Sequence, residues 1–288
     1  MQEIRRVLAA TDTSEHGLSA LVTGAACARR FGASLDAVCV LETRLLPFGV
    51  KATDYHERFG EELRRKVVVQ AEQAGAADAA VHVRGGLAAP LITEMAEEFG
   101  ADLVVVGAHP RPAVARFLVG STAERIIRLA HVPVLGATEG RREVFERILA
   151  PVDLSNQSRR VIETAAAFAQ ADQAEVRALY VQDRLTPMLL EAALFDEREQ
   201  RHHARNQFEL ILSEVSLASG LMVSREIREG HAGQEILHEA QDWNADLIVL
   251  GTHGFGFFNR LLLGSTSTYV LRHGYCATLV VPRPQEAA

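Results

Sequence analysis

Glycine and hydroxyl residues near the end of the chain stand at a spacing that suits phosphate binding. Residues 251–254 read Gly-Thr-His-Gly, nine residues follow, and residues 264–266 read Gly-Ser-Thr. Glycines allow backbone amides to approach an anion closely. A Gly-Ser-Thr turn that opens a helix adds unpaired N–H groups, a favourable helix dipole and two hydroxyl donors. The pattern therefore indicates a site for a phosphate-bearing ligand.

A carboxylate, Asp153, follows an apolar run over residues 147–152 that is typical of a buried strand. Because ligands bind at the carboxyl ends of the strands in open α/β sheets, Asp153 is expected beside the glycine loop. Its carboxylate can accept a hydrogen bond from an adenine amino group or a ribose hydroxyl. It could also orient Mg²⁺ on a triphosphate, although no second acidic ligand accompanies it.

The sequence predicts no catalytic residues. It contains no G-x4-G-K-[ST] P-loop, no G-x-S-x-G nucleophile elbow and no H-E-x-x-H metal helix. The lysines Lys51 and Lys66 lie far from the glycine loop, and no general base is placed for hydrolysis. Arg116 and Arg260 lie within the nine-residue spacers, where a phosphate contact and a solvated loop position are both open.

The first half of the chain carries an altered copy of the same pattern. Residues 107–110 read Gly-Ala-His-Pro, and Gly-Ser-Thr recurs at residues 120–122. Pro110 stands where the second glycine would be, which fixes φ near −65° and removes an N–H donor. We therefore expect weaker binding or none at this degenerate site, whose residues are Asp12, Gly107, Gly120, Ser121 and Thr122.

The two patterns belong to a duplication that extends along the chain. Asp12 and Asp153 are 141 residues apart, and the two Gly-Ser-Thr turns are 144 residues apart. Each half reads as strands alternating with helices, which predicts parallel β-α-β units and a sheet covered on both faces. The first helix of each half is expected to begin from Ser14 or Ser155, which are both good N-cap residues. We predict two homologous domains, residues 1–139 and 146–288, joined by a polar linker.

Length and composition restrict the class of protein. The 288 residues are 48% hydrophobic and 23% charged, as in soluble globular proteins, and no apolar run is long enough for a membrane span. The net charge of −7 argues against nucleic acid as a partner. Cys27, Cys39 and Cys276 lack metal-binding spacing, and the charged N-terminus is unlike a signal peptide. We therefore expect thiols without disulfides in a cytoplasmic protein.

The G-x2-G-x9-G-[ST] pattern of residues 251–265, the aspartate after the first strand and the duplication together resemble the universal stress protein family. The resemblance extends over nearly the whole chain. It implies two tandem, doubly wound α/β domains, each with a five-stranded, mainly parallel sheet of the Rossmann-like, adenine-nucleotide α-hydrolase type. It also implies that ATP, with or without Mg²⁺, binds in the second half. The implied nucleotide-binding residues are Pro151, Val152, Asp153, Val181, Gly251, Thr252, Gly254, Gly264, Ser265 and Thr266.

Pairing through the fifth strands is a further implication of this resemblance. It predicts an internal pseudo-dimer, in which strand residues near 132–136 pair with strand residues near 278–281. Dimerisation between chains is an additional expectation.

Three functions remain open at this point. The first is an ATP-binding stress-response regulator whose state an unknown protein partner reads. The second is a nucleotide-independent scaffold of the same fold. The third is a slow ATPase or an adenylyl-transfer enzyme, which would need cationic groups to stabilise its transition state. The resemblance favours the first, because ATP-binding members of the family are mostly receptors or regulators with at most slow hydrolysis.

Overall fold

The computed structural model describes residues 3–42, 52–107, 109–110, 117–118, 121–138, 144–182, 196–252 and 263–283. Its packing divides into two units, one of Gln2–Val144 with Leu271–Ala288 and one of Phe145–Val270. The domain boundaries predicted at residues 139 and 146 follow the sequence repeat rather than this packing, so they stay a prediction. Within the described residues, no helix has both the length and the hydropathy that crossing a bilayer requires.

Strands and helices alternate through the first half, as its apolar runs predict. The strands are β1 (Arg6–Ala10), β2 (Ser34–Glu42), β3 (Ala80–Gly86), β4 (Leu103–Gly107), β5 (His109–Pro110), β6 (Phe117–Leu118) and β7 (Val134–Ala137). The helices are α1 (Glu15–Phe31), α2 (Ala52–Gln73), α3 (Ala88–Phe99) and α4 (Ser121–Leu129). The short antiparallel ladder of β5 and β6 lies where the sequence predicts a loop.

The second half repeats this alternation. Its strands are β8 (Arg147–Val152), β9 (Glu175–Gln182), β10 (Val223–Glu229), β11 (Leu247–Gly251) and β12 (Ala277–Val281). Its helices are α5 (Ser158–Asp172), α6 (Asp196–Ser219), α7 (Ala232–Asp242) and α8 (Ser265–His273).

Each unit contains a parallel sheet with the same strand order. The first unit has the order β3-β2-β1-β4-β7, and Val7 of β1 lies opposite Leu35 on one side and Leu103 on the other. The second unit has the order β10-β9-β8-β11. In both, the order reverses beside the first strand, which confirms the predicted doubly wound α/β fold. The reversal opens a crevice at the carboxyl ends of the first and fourth strands.

The last strand of the chain pairs with the fifth strand of the first half. Strand β12 lies antiparallel to β7, with Thr278 opposite Gly136 and Val280 opposite Val134. Both strands are buried and belong to the packing unit that contains the first half. Arg272 of α8 also contacts Glu124 of α4, at 3.2 Å between nitrogen and oxygen. The pairing of fifth strands that the family resemblance implies is therefore present within the chain.

The first helices of the two halves begin differently. Ser14 caps α1 as predicted, because its hydroxyl accepts a hydrogen bond from the Gly17 amide. The first helix of the second half was expected to begin after Ser155. Instead, α5 begins at Ser158, and the preceding residue, Gln157, makes no side-chain capping hydrogen bond. The Ser155 amide instead donates to Asp153, and the Ser155 carbonyl accepts from the Ser158 amide, so Ser155 belongs to a turn before the helix.

A buried carboxylate links two strands to a helix in the second unit. Glu239 of α7 is 2% exposed, and its two oxygens each lie 2.7 Å from an arginine, Arg177 of β9 and Arg228 of β10. The Arg177 guanidinium also lies 4.4 Å from the ring centre of Trp243. Because both positive charges meet one desolvated carboxylate, this cluster fixes α7 on the face of the sheet beside the crevice.

The cysteines retain their thiols. Cys27, Cys39 and Cys276 all lie within the described residues and form no disulfide. Burial, together with the nearby Asp12 carboxylate, raises the pKa of the Cys39 thiol to about 12. This thiol is therefore neutral at physiological pH and a poor nucleophile.

Candidate functional site

A cavity of about 480 Å³ lies in the crevice of the second unit. It is lined from the carboxyl ends of β8, β9 and β11, where the strand order reverses, and from the first turns of α5, α7 and α8. Its volume falls within the ~300–1,000 Å³ of small-molecule sites. The cavity forms because three short strands end at the same edge of the sheet, where the chain after each strand turns away into a helix.

Asp153 stands at the end of β8, at the edge of the cavity. Its Oδ1 atom accepts hydrogen bonds from the Ser155 amide and the Ser158 hydroxyl, each at 3.1 Å. The next residue, Leu154, has a φ of 63°, a left-handed conformation that is uncommon outside glycine. These contacts fix the carboxylate at the cavity, where it presents a hydrogen-bond acceptor to a ligand.

Gly251 ends β11 and is closely covered by the side chain of Gln157. A Cβ atom built at Gly251 would lie 2.8 Å from Gln157 Oε1, closer than real Cβ atoms come to a neighbour. The Gly251 carbonyl accepts a hydrogen bond of 2.7 Å from the Ser267 hydroxyl in the first turn of α8. The glycine therefore lets α5 and α8 both close on the end of the same strand.

Gly264 and Ser265 bring the beginning of α8 to the cavity. The Gly264 amide donates to the Thr252 carbonyl at 2.8 Å, which joins the two ends of the loop between β11 and α8. The Gly264 carbonyl accepts from the Thr268 amide and starts the helix. Ser265 and Thr266 of the first helical turn therefore line the cavity, and the beginning of a helix favours an anion.

The structure brings most of the sequence-predicted residues together around this one space. Those that line the cavity are Pro151, Val152, Asp153, Val181, Gly251, Gly264, Ser265 and Thr266. Thr252 is buried and is not among the lining residues, and its carbonyl serves the loop instead. Gly254 lies outside the described residues, as do Arg116 and Arg260.

Several residues that line the cavity escaped the sequence analysis. Gln157 and Ser158 come from the first turn of α5, and Ser267 comes from α8. His231 precedes α7, and its ring meets the Tyr269 ring edge-on at 5.7 Å between centres. A polar residue between a strand and a helix is the signal that could have identified His231, since such positions lie at the ligand-binding edge of the sheet.

The corresponding positions of the first half are engaged in other contacts. The Asp12 carboxylate accepts from the amide and the hydroxyl of Ser14. The Thr11 hydroxyl donates to Gln70 of α2 at 2.8 Å. A Cβ atom built at Gly107 would lie 2.4 Å from the backbone oxygen of His16. The remaining residues of the predicted degenerate site are Ser121 and Thr122, both exposed at the start of α4, and Gly120, outside the described residues.

The charges at the cavity are few. Among its described lining residues, Asp153 is the one carboxylate, His231 is the one group that can become a cation, and lysine and arginine are absent. The described parts of the chain also hold no group of three or more His, Cys, Asp or Glu residues that could bind a metal. Asp153 is therefore the one described carboxylate at this cavity that could hold a metal ion.

Sequence comparison with known proteins identifies the family of this chain. A model of the Universal stress protein family matches residues 3–136 and again residues 145–282. Universal stress protein Sll1388 of Synechocystis is 30% identical over 151 residues, which are 48% of this chain and 97% of that protein. Universal stress protein Rv2005c of Mycobacterium tuberculosis is 27% identical over 245 residues, 80% of this chain and 78% of that protein.

A solved structure supports the same conclusion for the fold. A universal stress protein from Archaeoglobus fulgidus covers 98% of this chain and 100% of its own length, with a TM-score of 0.74 and 22% identity. At that identity the likeness is evidence of fold alone. The two consecutive family matches account for the repeated strand order and for the duplicated glycine patterns. The chain therefore belongs to the universal stress protein family, as a tandem member with two copies of the family's domain.

Proposed function

We propose that this protein is a receptor for an adenine nucleotide, ATP, which binds in the crevice cavity of the second half. The observation that carries the proposal is the convergence of eight sequence-predicted residues on a single cavity of about 480 Å³. They come from three strand ends and a helix start that are far apart in the sequence. Such convergence is expected of a binding site rather than of residues retained only for folding.

The chemistry of the lining suits the parts of ATP. The hydroxyls of Ser265 and Thr266 and the first amides of α8 are donors for phosphate oxygens. The Asp153 carboxylate is an acceptor for an amino or ribose hydroxyl group, and Val181 offers an apolar contact for the base. A Mg²⁺ ion on the phosphates would gain one protein ligand from Asp153.

A regulatory role fits this site better than catalysis. The described lining offers no lysine or arginine to stabilise a developing negative charge, which phosphoryl transfer requires. In our proposal, nucleotide binding in the cytoplasm stabilises one arrangement of the crevice, and a protein partner responds to that arrangement during stress. Binding is assigned to the second half, since Pro110 replaces the second glycine of the pattern in the first half.

The test is the nucleotide content of the purified protein, compared between two matched variants. Ser265→Glu sets a carboxylate where the phosphate is expected, and Ser121→Glu makes the same change at the equivalent position of the first half. A glutamate at a helix start is compatible with folding, since it favours the helix dipole. The protein is denatured, and the released nucleotide is identified and counted per chain.

We expect about one ATP or ADP per wild-type chain and per Ser121→Glu chain, and almost none from Ser265→Glu. ATP added at about 100 times its Kd should also stabilise the wild type by about 2.7 kcal/mol. If the wild type carries no nucleotide and its stability is unchanged in millimolar ATP, the receptor proposal fails. The nucleotide-independent scaffold then becomes the better account of the fold.

A further inference from the structure

The described lining of the proposed nucleotide cavity carries few charges. Its described lining holds one carboxylate, Asp153, and no lysine or arginine. A triphosphate brought beside Asp153 is repelled by its carboxylate. The single described lining side chain that can offset this repulsion is the imidazole of His231.

His231 is placed at the cavity without a capping duty in the fold. It is the N-cap residue of α7, but its side chain makes no capping hydrogen bond. The equivalent residue in the first half is Leu87, which precedes α3 with nearly the same backbone angles. Its φ and ψ are −91° and 122°, against −77° and 117° for His231. The fold therefore accepts an apolar residue at this position, and capping does not explain the imidazole.

We propose that His231 determines the specificity of this site for nucleotides with a polyphosphate chain, because its protonated ring contacts a terminal phosphate. This inference rests on the proposed function of the same cavity. Histidine changes charge between about pH 5 and pH 8, so the affinity for ATP rises as the pH falls through this range. Adenosine, which carries no phosphate, gains nothing from the charge.

Within the described residues, ionisable groups near His231 come from several elements. Across the cavity lies Asp153, and on α8 lies Tyr269, whose ring contacts the imidazole. On its own helix lies Glu235, whose two oxygens lie 3.6 Å from Arg228 and 3.6 Å from the ring of His238. Glu229 lies at the end of β10, and its Oε1 accepts a hydrogen bond of 2.5 Å from the Arg201 guanidinium. Both glutamates are therefore paired with arginines, and a bound phosphate adds the negative charge that changes on binding.

The experiment measures Kd for ATP and for adenosine at pH 6 and pH 8 by calorimetry. The proteins are the full-length wild type, His231→Gln, His231→Arg and, as the matched control in the first half, Leu87→Gln. Terminal phosphates titrate near pH 6, but this effect is common to all proteins and cancels in the ratio of wild type to His231→Gln. Because residue 231 is exposed, the variants are expected to fold, which a thermal melt checks.

We expect the ratio of ATP affinities, wild type over His231→Gln, to be severalfold larger at pH 6 than at pH 8, because only the protonated imidazole attracts the phosphate. His231→Arg should keep tight binding at both pH values, and Leu87→Gln should match the wild type. Adenosine affinity should be the same in all four proteins. An equal ratio at the two pH values, with ATP still bound, overturns the role of His231 and leaves the receptor standing. Failure of every protein to bind ATP overturns both.

Discussion

Replacement of Gly251 by alanine tests how the cavity is built. The new Cβ atom would lie 2.8 Å from Oε1 and 2.9 Å from Cδ of Gln157. Gln157 is 6% exposed and lines the cavity, so its amide group can relieve the contact by turning into that space. We therefore expect Gly251→Ala to keep the fold and to lose nucleotide affinity, because the displaced amide occupies volume that the ligand needs.

The magnitude follows from the atoms that must move. Overpacking a buried site costs about 1–3 kcal/mol, and replacing a strand glycine by alanine recovers roughly 0.5–1 kcal/mol from the unfolded state. The net loss for Gly251→Ala is then about 0–2.5 kcal/mol. At Gly107 the added atom would lie 2.4 Å from the oxygen and 2.7 Å from the carbonyl carbon of His16, which are backbone atoms. Since a side-chain rotation cannot relieve that contact, Gly107→Ala should cost about 3 kcal/mol or more.

The assay uses the single tryptophan of the chain, Trp243, which lies in the second unit beside Arg177. Its fluorescence during urea unfolding reports the stability of that unit in Gly251→Ala, and amide hydrogen exchange reports the first unit in Gly107→Ala. ATP affinity is measured for Gly251→Ala, for Gln157→Ala and for the double variant. We expect a drop of about tenfold or more in Gly251→Ala, largely restored in the double variant, because the colliding amide has been removed.

Two outcomes would refute this reasoning. One is a double variant that binds ATP no better than Gly251→Ala, which would mean that the glycine itself, and not the position of Gln157, governs binding. The other is a loss of stability in Gly251→Ala as large as that in Gly107→Ala, which would mean that the side chain of Gln157 cannot give way.

Two further predictions concern charge and protonation. Glu239→Gln should lower the free energy of unfolding by roughly 1–3 kcal/mol, because two partly exposed arginines lose a buried anion. The urea midpoint of the Trp243 fluorescence transition should fall accordingly, and an unchanged midpoint would contradict the role given to this cluster. Because the folded pKa of Cys39 is raised to about 12 from an ordinary value of 9.0, its contribution to stability is complete below pH 9 and is lost as the pH rises toward 12. Urea unfolding followed by circular dichroism should therefore show a steeper decline from pH 9 to pH 11 in wild type than in Cys39→Ala, and equal slopes would contradict this burial effect.

The fold could be predicted from sequence because its signals are local. A buried strand such as β8 is an apolar run of a few residues, and a helix such as α1 follows a serine that caps it. These patterns repeat in both halves, so each half supports the other. The predicted start of α5 was wrong by two residues, because the expected cap Ser155 is held in a turn with Asp153. A serine such as Ser155 can either cap a helix or stabilise a turn before it. The sequence alone does not show which of the two hydrogen-bonding patterns is more stable.

The site could be predicted only in part, since its missing members come from contacts between distant segments. Gln157 covers Gly251 across 94 residues of sequence, and His231 reaches the same cavity from the helix after another strand. A sequence motif identifies the end of a strand and the start of a helix. It does not identify the side chains that pack over them. A residue of the motif can also lie outside the cavity lining, as the buried Thr252 does.

Comparison of the two halves separates what the fold needs from what the cavity needs. Thr13 and Leu154, which follow the equivalent aspartates, have left-handed φ values of 64° and 63°, so this strain is present whether or not a half carries the complete motif. It therefore belongs to the turn between first strand and first helix and is not evidence of binding. By the same logic, a position whose backbone is retained while its side chain changes character is the better guide to function. Leu87 and His231 are such a pair, which is why the imidazole, rather than the strained turn, is the place to test how this protein selects its ligand.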